Sequence, residues 1–339
     1  MKLLKALAVA VAVLSSLCCR SQDGSTAYNF LNVTSSARIY GLGGMNITLV
    51  DDDITVTDQN PALLGSEMDN MVSLNYMRYL GGSNFAGLRY GHSAGEHGAW
   101  AATMQYFGYG SMKESLPDGT VTGSFSPKDV VFGALYSHDI TDRLRGGIAV
   151  KMIYSGYADY SAFALATDLG LNYYDPERDM SLSIVGANLG GQVKRFNEAY
   201  DRLPIDVRLG WSQSFGDFPF RLSVTAWNLT KWHLPFYETG DGTSSEEFKV
   251  KDSFTSNLFR HLVFGLDFTP SERFYIALGY NYKTRTDMST YSRSFLSGFS
   301  LGAGLNLDRF SLGLAFAQPH SGATTLMVNL NLNLQDILN

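Results

Sequence analysis

Beyond Leu17 the sequence has no apolar run that reaches the ~20 residues a membrane-spanning helix requires, so a helical membrane protein is excluded. Charge is scarce too, with only 17% of residues Asp, Glu, Lys or Arg. Cysteine occurs only as Cys18 and Cys19. The six histidines show no helical metal-ligand spacing. The net charge of −6 argues against nucleic acid as a partner.

The N-terminus has the three parts of a secretory signal. Lys2 and Lys5 open it, Leu3 to Leu17 is almost wholly apolar, and small or polar residues lead to Ser21-Gln22. Cleavage is expected near Ser21. A lipid anchor on Cys18 or Cys19 is disfavoured because Leu17 stands where a small residue is needed. Removal of residues 1–21 takes both thiols away, and with them disulfide, thiolate-metal and Cys-nucleophile chemistry. It also removes three cations and no acid, so the net charge falls from −6 to −9.

What remains is rich in Gly (34), Tyr (19) and Phe (21), and it alternates. In "TLMVNLNLNL", Leu326, Val328, Leu330, Leu332 and Leu334 share one face, while Met327, Asn329, Asn331 and Asn333 share the other. Fourteen such strands are predicted, at 69–80, 83–92, 97–108, 129–139, 143–156, 161–174, 179–190, 204–215, 218–229, 259–269, 272–284, 296–307, 309–317 and 323–334. Most match the ~9–11 residues of a tilted transmembrane strand, and an even count suits a single-chain barrel. Short turns rich in Asp, Gly and Pro alternate with the long connections 109–128, 191–203, 230–258 and 284–295. The expected fold is all-β, a transmembrane antiparallel β-barrel of about 14 strands. Its parts are the signal peptide (1–21), an N-terminal hatch or plug (22–68) and the barrel (69–339).

Chemical motifs are weak. "GHSAG", Gly91 to Gly95, has the form of a nucleophile elbow around Ser93, but a strand pattern follows it where that motif needs a helix. "GLGGMN" carries Asn46 at the place of a third phosphate-loop glycine. The run Asp51-Asp52-Asp53 lacks the alternating oxygen ligands and distal Glu of a calcium loop. No catalytic residue, metal or cofactor is expected.

The segment "GSTAYNFLNVTSSARIYGLGGMNITLVDDDITVTDQNPALLG" is similar to the hatch of the fatty-acid-transporter-like outer-membrane barrels. The matching features, in order, are Gly41 to Gly43, Asp51 to Asp53 and Asn60 to Ala62. Within that superfamily, Ser25–Arg38, Leu42–Gly44 and Asn60–Leu64 resemble the PorQ family of the type IX secretion system. The resemblance covers about 40 residues, with barrel length agreeing over the rest. It implies a hatch structure carried by Arg38, Gly41, Gly43, Gly44, Asp51, Asp52, Asp53, Asn60 and Pro61. The aspartates would pair with lumen cations such as Arg38, Arg143 or Lys151. It further implies a location in the outer membrane of a Gram-negative, Bacteroidetes-type bacterium. The implied role is non-enzymatic anchoring of the surface protein PorZ, with PorU and PorV in one complex that contacts outer-membrane lipid and lipopolysaccharide.

Under that reading the outer loops are the docking surface. Trp232, Phe236 and Tyr237 are the first candidates as aromatic anchors, and Tyr109, Met112 and Leu116 the second. The alternative function is a channel for small hydrophobic molecules such as fatty acids. Channels of that type are expected to kink the third strand as a side exit, and no Gly or Pro lies between Gly98 and Gly108.

Overall fold

The computed structural model describes residues 26–117, 120–197, 200–215, 218–238, 249–287, 295–307, 309–320 and 322–338. The expected signal peptide, with Cys18 and Cys19, lies outside the described residues.

Among the described residues eighteen strands follow in chain order. They begin with β1 (Met71–Arg78), β2 (Asn84–Ser93), β3 (Gly98–Gly108), β4 (Met112–Ser115), β5 (Val121–Phe125) and β6 (Lys128–Thr141). Next come β7 (Leu144–Tyr157), β8 (Tyr160–Asp175), β9 (Met180–Lys194), β10 (Asp206–Ser214), β11 (Phe220–Ala226) and β12 (Phe236–Glu238). The last six are β13 (Lys249–Lys251), β14 (Leu262–Ser271), β15 (Phe274–Asn281), β16 (Phe299–Asn306), β17 (Phe310–His320) and β18 (Ala323–Asn333). Fourteen of them close one antiparallel barrel, in which β1 pairs with both β2 and β18. The two small pairs β4–β5 and β12–β13 stand outside it.

The alternation read from the sequence sets the two faces of this wall. On β18, Met327, Asn329 and Asn331 are buried in the lumen while Leu326 is exposed outside. On β14, Val263 and Asp267 face inward. Leu74, Leu88, Met104, Phe132, Met152, Leu301 and Leu314 are among the large apolar residues exposed on the outer face. A closed wall that is apolar outside and leaves no free edge suits hydrocarbon as its surroundings. No described helix is long and apolar enough to cross a membrane.

Every long connection lies at one end of the barrel, as expected, and the other end has only short turns. Two stretches read as strand ends are helical instead. The stretches 259–261 and 282–284 are helical, within Phe254–His261 and Tyr282–Asp287. Ser253 caps the first helix by accepting from the Ser256 amide, which fixes where the helix begins. The strand alternation does not carry through it, since Asn257, Arg260 and His261 are buried while Phe254 and Phe259 are exposed.

Candidate functional site

The segment before β1 fills the lumen as a chain of short helical turns: Asn29–Asn32, Ala37–Gly41, Ile54–Asp58, Pro61–Leu63 and Ser66–Met68. Its sequence explains its path. Ser36 caps Ala37–Gly41 by accepting from the Ile39 amide. Gly43 and Gly44 then take φ of 99° and 81°, a region that disfavours side chains. Asn60 caps Pro61–Leu63 by accepting from the Ala62 amide at 3.0 Å, and its own amide donates to the Ile47 carbonyl at 2.8 Å.

Glycines of the wall receive this plug. A β-carbon on Gly279 would stand 1.9 Å from the Gly43 nitrogen, and one on Gly147 would stand 2.3 Å from the Pro61 carbonyl carbon. A β-carbon on Gly41 would meet Gly302 at 2.7 Å. Small polar wall residues then hydrogen-bond to the plug backbone. Asn329 accepts from the Ala37 amide at 2.7 Å and donates to the Ser35 carbonyl at 2.9 Å. Ser300 donates to the Gly41 carbonyl at 2.9 Å, and Ser137 to the Leu64 carbonyl at 2.6 Å.

Arg38 is the main ionic pin. Buried in the lumen, it donates to Asp51, reaches Asp267 at 2.5 Å and lies 4.3 Å from the centre of the Tyr275 ring. Burial alone would depress its affinity for a proton, and the charges of Asp51 and Asp267 more than reverse that. Arg89 of β2 is a second pin, with Asp58 at 2.8 Å. With about ten such buried hydrogen bonds at ~1 kcal/mol each, withdrawing the plug intact costs on the order of 10 kcal/mol.

The three aspartates separate. Asp51 pairs with Arg38, Asp52 is exposed, and Asp53 caps Ile54–Asp58 while accepting from Asn331 at 2.9 Å. The expected partners Arg143 and Lys151 are not theirs. Arg143 binds Asp175 and Glu177, and Lys151 binds Asp168 at 2.5 Å, because acids across the neighbouring strand lie nearer. Pro61 lies against wall glycines Gly147 and Gly170, and the turn into β1 is made by residues 65–70.

The expected docking residues also divide. Met112 and Leu116 are exposed at the β4–β5 hairpin. Trp232 is partly exposed and stacks between Phe254 at 5.3 Å and His261 at 5.1 Å. Phe236 is buried beneath the Arg260 guanidinium at 4.9 Å, so it is no outward anchor. Tyr109 turns toward the lumen, donating to Asp129 at 2.6 Å and packing on Phe107. The strand position of Tyr237 is described, opposite Val250, while its side chain lies outside the described residues. Ser93 ends β2 beside a short turn, where its amide donates to Asp69 at 2.8 Å. Among the described residues no group of three or more His, Cys, Asp or Glu side chains could hold a metal.

Sequence reasoning missed a cavity of about 560 Å³ between the plug and the wall, toward the long connections. Its apolar lining includes Tyr40, Met45, Tyr79, Trp227, Phe299 and Pro319. Polar residues are as numerous in it, among them Asn29, Asn32, Asn228, Arg260, Lys283 and Asp287. The lining comes from seven separated segments, and no local pattern marks such a site.

No protein-family model and no curated protein matches the sequence. Solved structures share the fold. The toluene transporter TodX of Pseudomonas putida superposes with a TM-score of 0.53 at 11% identity, over 88% of this chain and 96% of that one. A Pseudomonas aeruginosa FadL homologue gives 0.50 at 12% identity, over 88% and 98%. At these identities the likeness is one of fold: the 14-stranded outer-membrane barrel of the FadL type.

Proposed function

We propose that this protein is a non-enzymatic outer-membrane barrel that takes small hydrophobic molecules into the cavity above its plug. The cavity carries the reading, since it has the size of a small-ligand site and offers Tyr40, Met45, Tyr79, Trp227 and Pro319 beside its polar groups. Barrels of the same fold described as a toluene transporter and a FadL homologue support it. The seated plug means that a molecule does not cross by its wholesale removal. The third strand is no exit either, for β3 keeps unbroken register with β6 from Gly98 to Gly108 and with β2 from Ala99 to Gly108.

The test is binding of N-phenyl-1-naphthylamine to the purified barrel, followed through the probe's own emission. Ala317→Trp fills the cavity and should weaken binding about tenfold, roughly 1.4 kcal/mol. Equal binding by the variant, together with no probe uptake into barrel-containing liposomes, would end this reading.

A second reading, docking of a surface protein such as PorZ with PorU and PorV, is favoured by one observation. The β4–β5 hairpin projects Met112, Leu116 and Val121 into the surroundings outside the barrel. Purified PorZ should then bind the intact barrel and lose affinity when residues 112–125 are replaced by a Gly-Ser turn.

A further inference from the structure

The outward face of the wall ends differently at its two rims. At the short-turn end it carries rings: Trp100 packs on His92 at 5.7 Å, and Tyr136 stacks on His138 at 6.4 Å. Beyond them Phe132, Met152 and Leu165 are exposed. From His138 back along β6, ten residues reach Lys128. At ~3.4 Å per residue and ~40° tilt they rise about 26 Å, the height of the ~25 Å apolar band of an outer-membrane barrel. Lys128 therefore stands at the far edge of that band, where lipid headgroups begin.

Strand register puts a second lysine beside it. Lys128 is opposite Gly156, Gly156 is opposite Ser161, and Lys194 is opposite Phe163, the next outward residue of β8. The Lys194 ammonium donates to the Ser161 hydroxyl at 2.6 Å, which draws it toward Lys128. Two strand spacings separate Lys128 from Ser161, ~10 Å at ~4.8 Å each, with only Gly156 between them. Directly below, Tyr154 and Phe163 are paired across β7 and β8 on the same outer face. Both lysines are exposed, and among the described residues neither forms an ion pair. Asp129 follows Lys128 in sequence but points into the lumen, where Tyr109 and Tyr157 donate to it. Asp159 is exposed in the turn between β7 and β8 and binds neither lysine. At the short-turn end, by contrast, Arg143, Arg145 and Arg221 are each held by a carboxylate. Two lysines without acids, at headgroup height, are left for anions from outside the chain.

We propose that Lys128 and Lys194 form a site for a doubly phosphorylated glycolipid of the lipid A type, in the leaflet on the long-connection side. Each ammonium takes one phosphate, the disaccharide between the phosphates lies over Gly156, and acyl chains run down past Tyr154 and Phe163. The charge pattern selects this occupant. Two separated cations above an apolar face match two phosphates carried on one acylated sugar unit, whereas a singly charged phospholipid answers only one of them. The inference rests on the outer-membrane placement in the reading above and makes no use of the cavity.

The test is native mass spectrometry of the full barrel in detergent, titrated with bisphosphorylated lipid A. Lys128→Gln and Lys194→Gln should each weaken binding about fivefold, and together about twenty-five-fold, the gain that basic residues make at an anionic membrane surface. Lys113→Gln, the same charge change in the β4–β5 hairpin, should leave binding unaltered. Lipid A stripped of both phosphates should bind the wild type as weakly as the double variant binds the intact lipid. Lys128→Arg combined with Lys194→Arg should keep wild-type binding, which separates loss of charge from loss of fold. Unchanged binding by the double Gln variant would overturn the site. So would phosphatidylglycerol that binds as tightly as lipid A with the same dependence on the two lysines. N-phenyl-1-naphthylamine binding should be equal in all these variants. If wild type and variants alike fail to bind that probe while lipid A binding holds, the cavity reading falls and this site stands.

Discussion

Asp51, Asp52 and Asp53 are chemically identical, and only their surroundings separate them. Arg38 holds Asp51 and Asp267 together across the plug and wall, so Arg38→Met leaves two acids without their cation. The expected loss is about 3–5 kcal/mol, read as a lower urea midpoint of unfolding. Asp52 is exposed, and Asp52→Asn should stay within about 0.5 kcal/mol of wild type by the same measurement. Asp53→Ala removes a cap and should cost about 1 kcal/mol, while Asp53→Asn keeps the capping oxygen. Burial raises the Asp53 carboxyl above the usual carboxylate range, and the Asp51 charge adds to it. The folded state therefore favours the neutral acid. That contribution is fully present below the ordinary carboxylate range and fades as pH rises through the raised value. Asp53→Asn should accordingly flatten the unfolding midpoint between those two limits, measured in steps from acid to neutral pH. The position of Arg38 among the partners of Asp51 was legible from the sequence, since thirteen residues separate them within one segment. The partners of Arg143 and Lys151 were not, because they are set by strand register.

At the scale of the element, the strands were the most readable part, for period-2 alternation survives wherever one face meets lipid and the other the plug. β3, β6 and β18 lie within two residues of their predicted limits. The helices Phe254–His261 and Tyr282–Asp287 escaped notice because their outward aromatic residues mimic the ends of the strands they continue. The wall glycines were visible as composition, and only the structure shows that they are sockets. Gly279→Val should push its side chain into the Gly43 backbone and unseat that end of the plug. The expected readout is a new ion conductance in planar bilayers with a loss of about 1–3 kcal/mol in stability. Gly156→Ala, whose added carbon comes no nearer than 3.5 Å to its nearest neighbour, the Tyr154 side chain, should change neither.

For the whole molecule, plug and barrel form one packed body, so deleting residues 26–68 removes the filling of the lumen and not merely a tail. The truncated barrel should conduct ions steadily in planar bilayers where the intact protein is nearly silent. A silent truncated barrel would mean that the long connections alone seal it. The cavity belongs to this scale as well: its wall is assembled from segments between Asn29 and Pro319, which is why no stretch of sequence announced it. The same long reach bears on how the protein is built. Asn329 and Asn331 of β18 grip Ser35, Ala37 and Asp53, whereas Arg89 of β2 grips Asp58, and the β1–β18 pairing joins the first barrel strand to the last. The first-made segment is thus bound to both the earliest and the latest strands, nearly three hundred residues apart in the case of Ala37 and Asn329. During assembly it can serve as the template on which the cylinder closes, sparing the chain part of the loop-closure entropy that a seam so distant in sequence would otherwise cost.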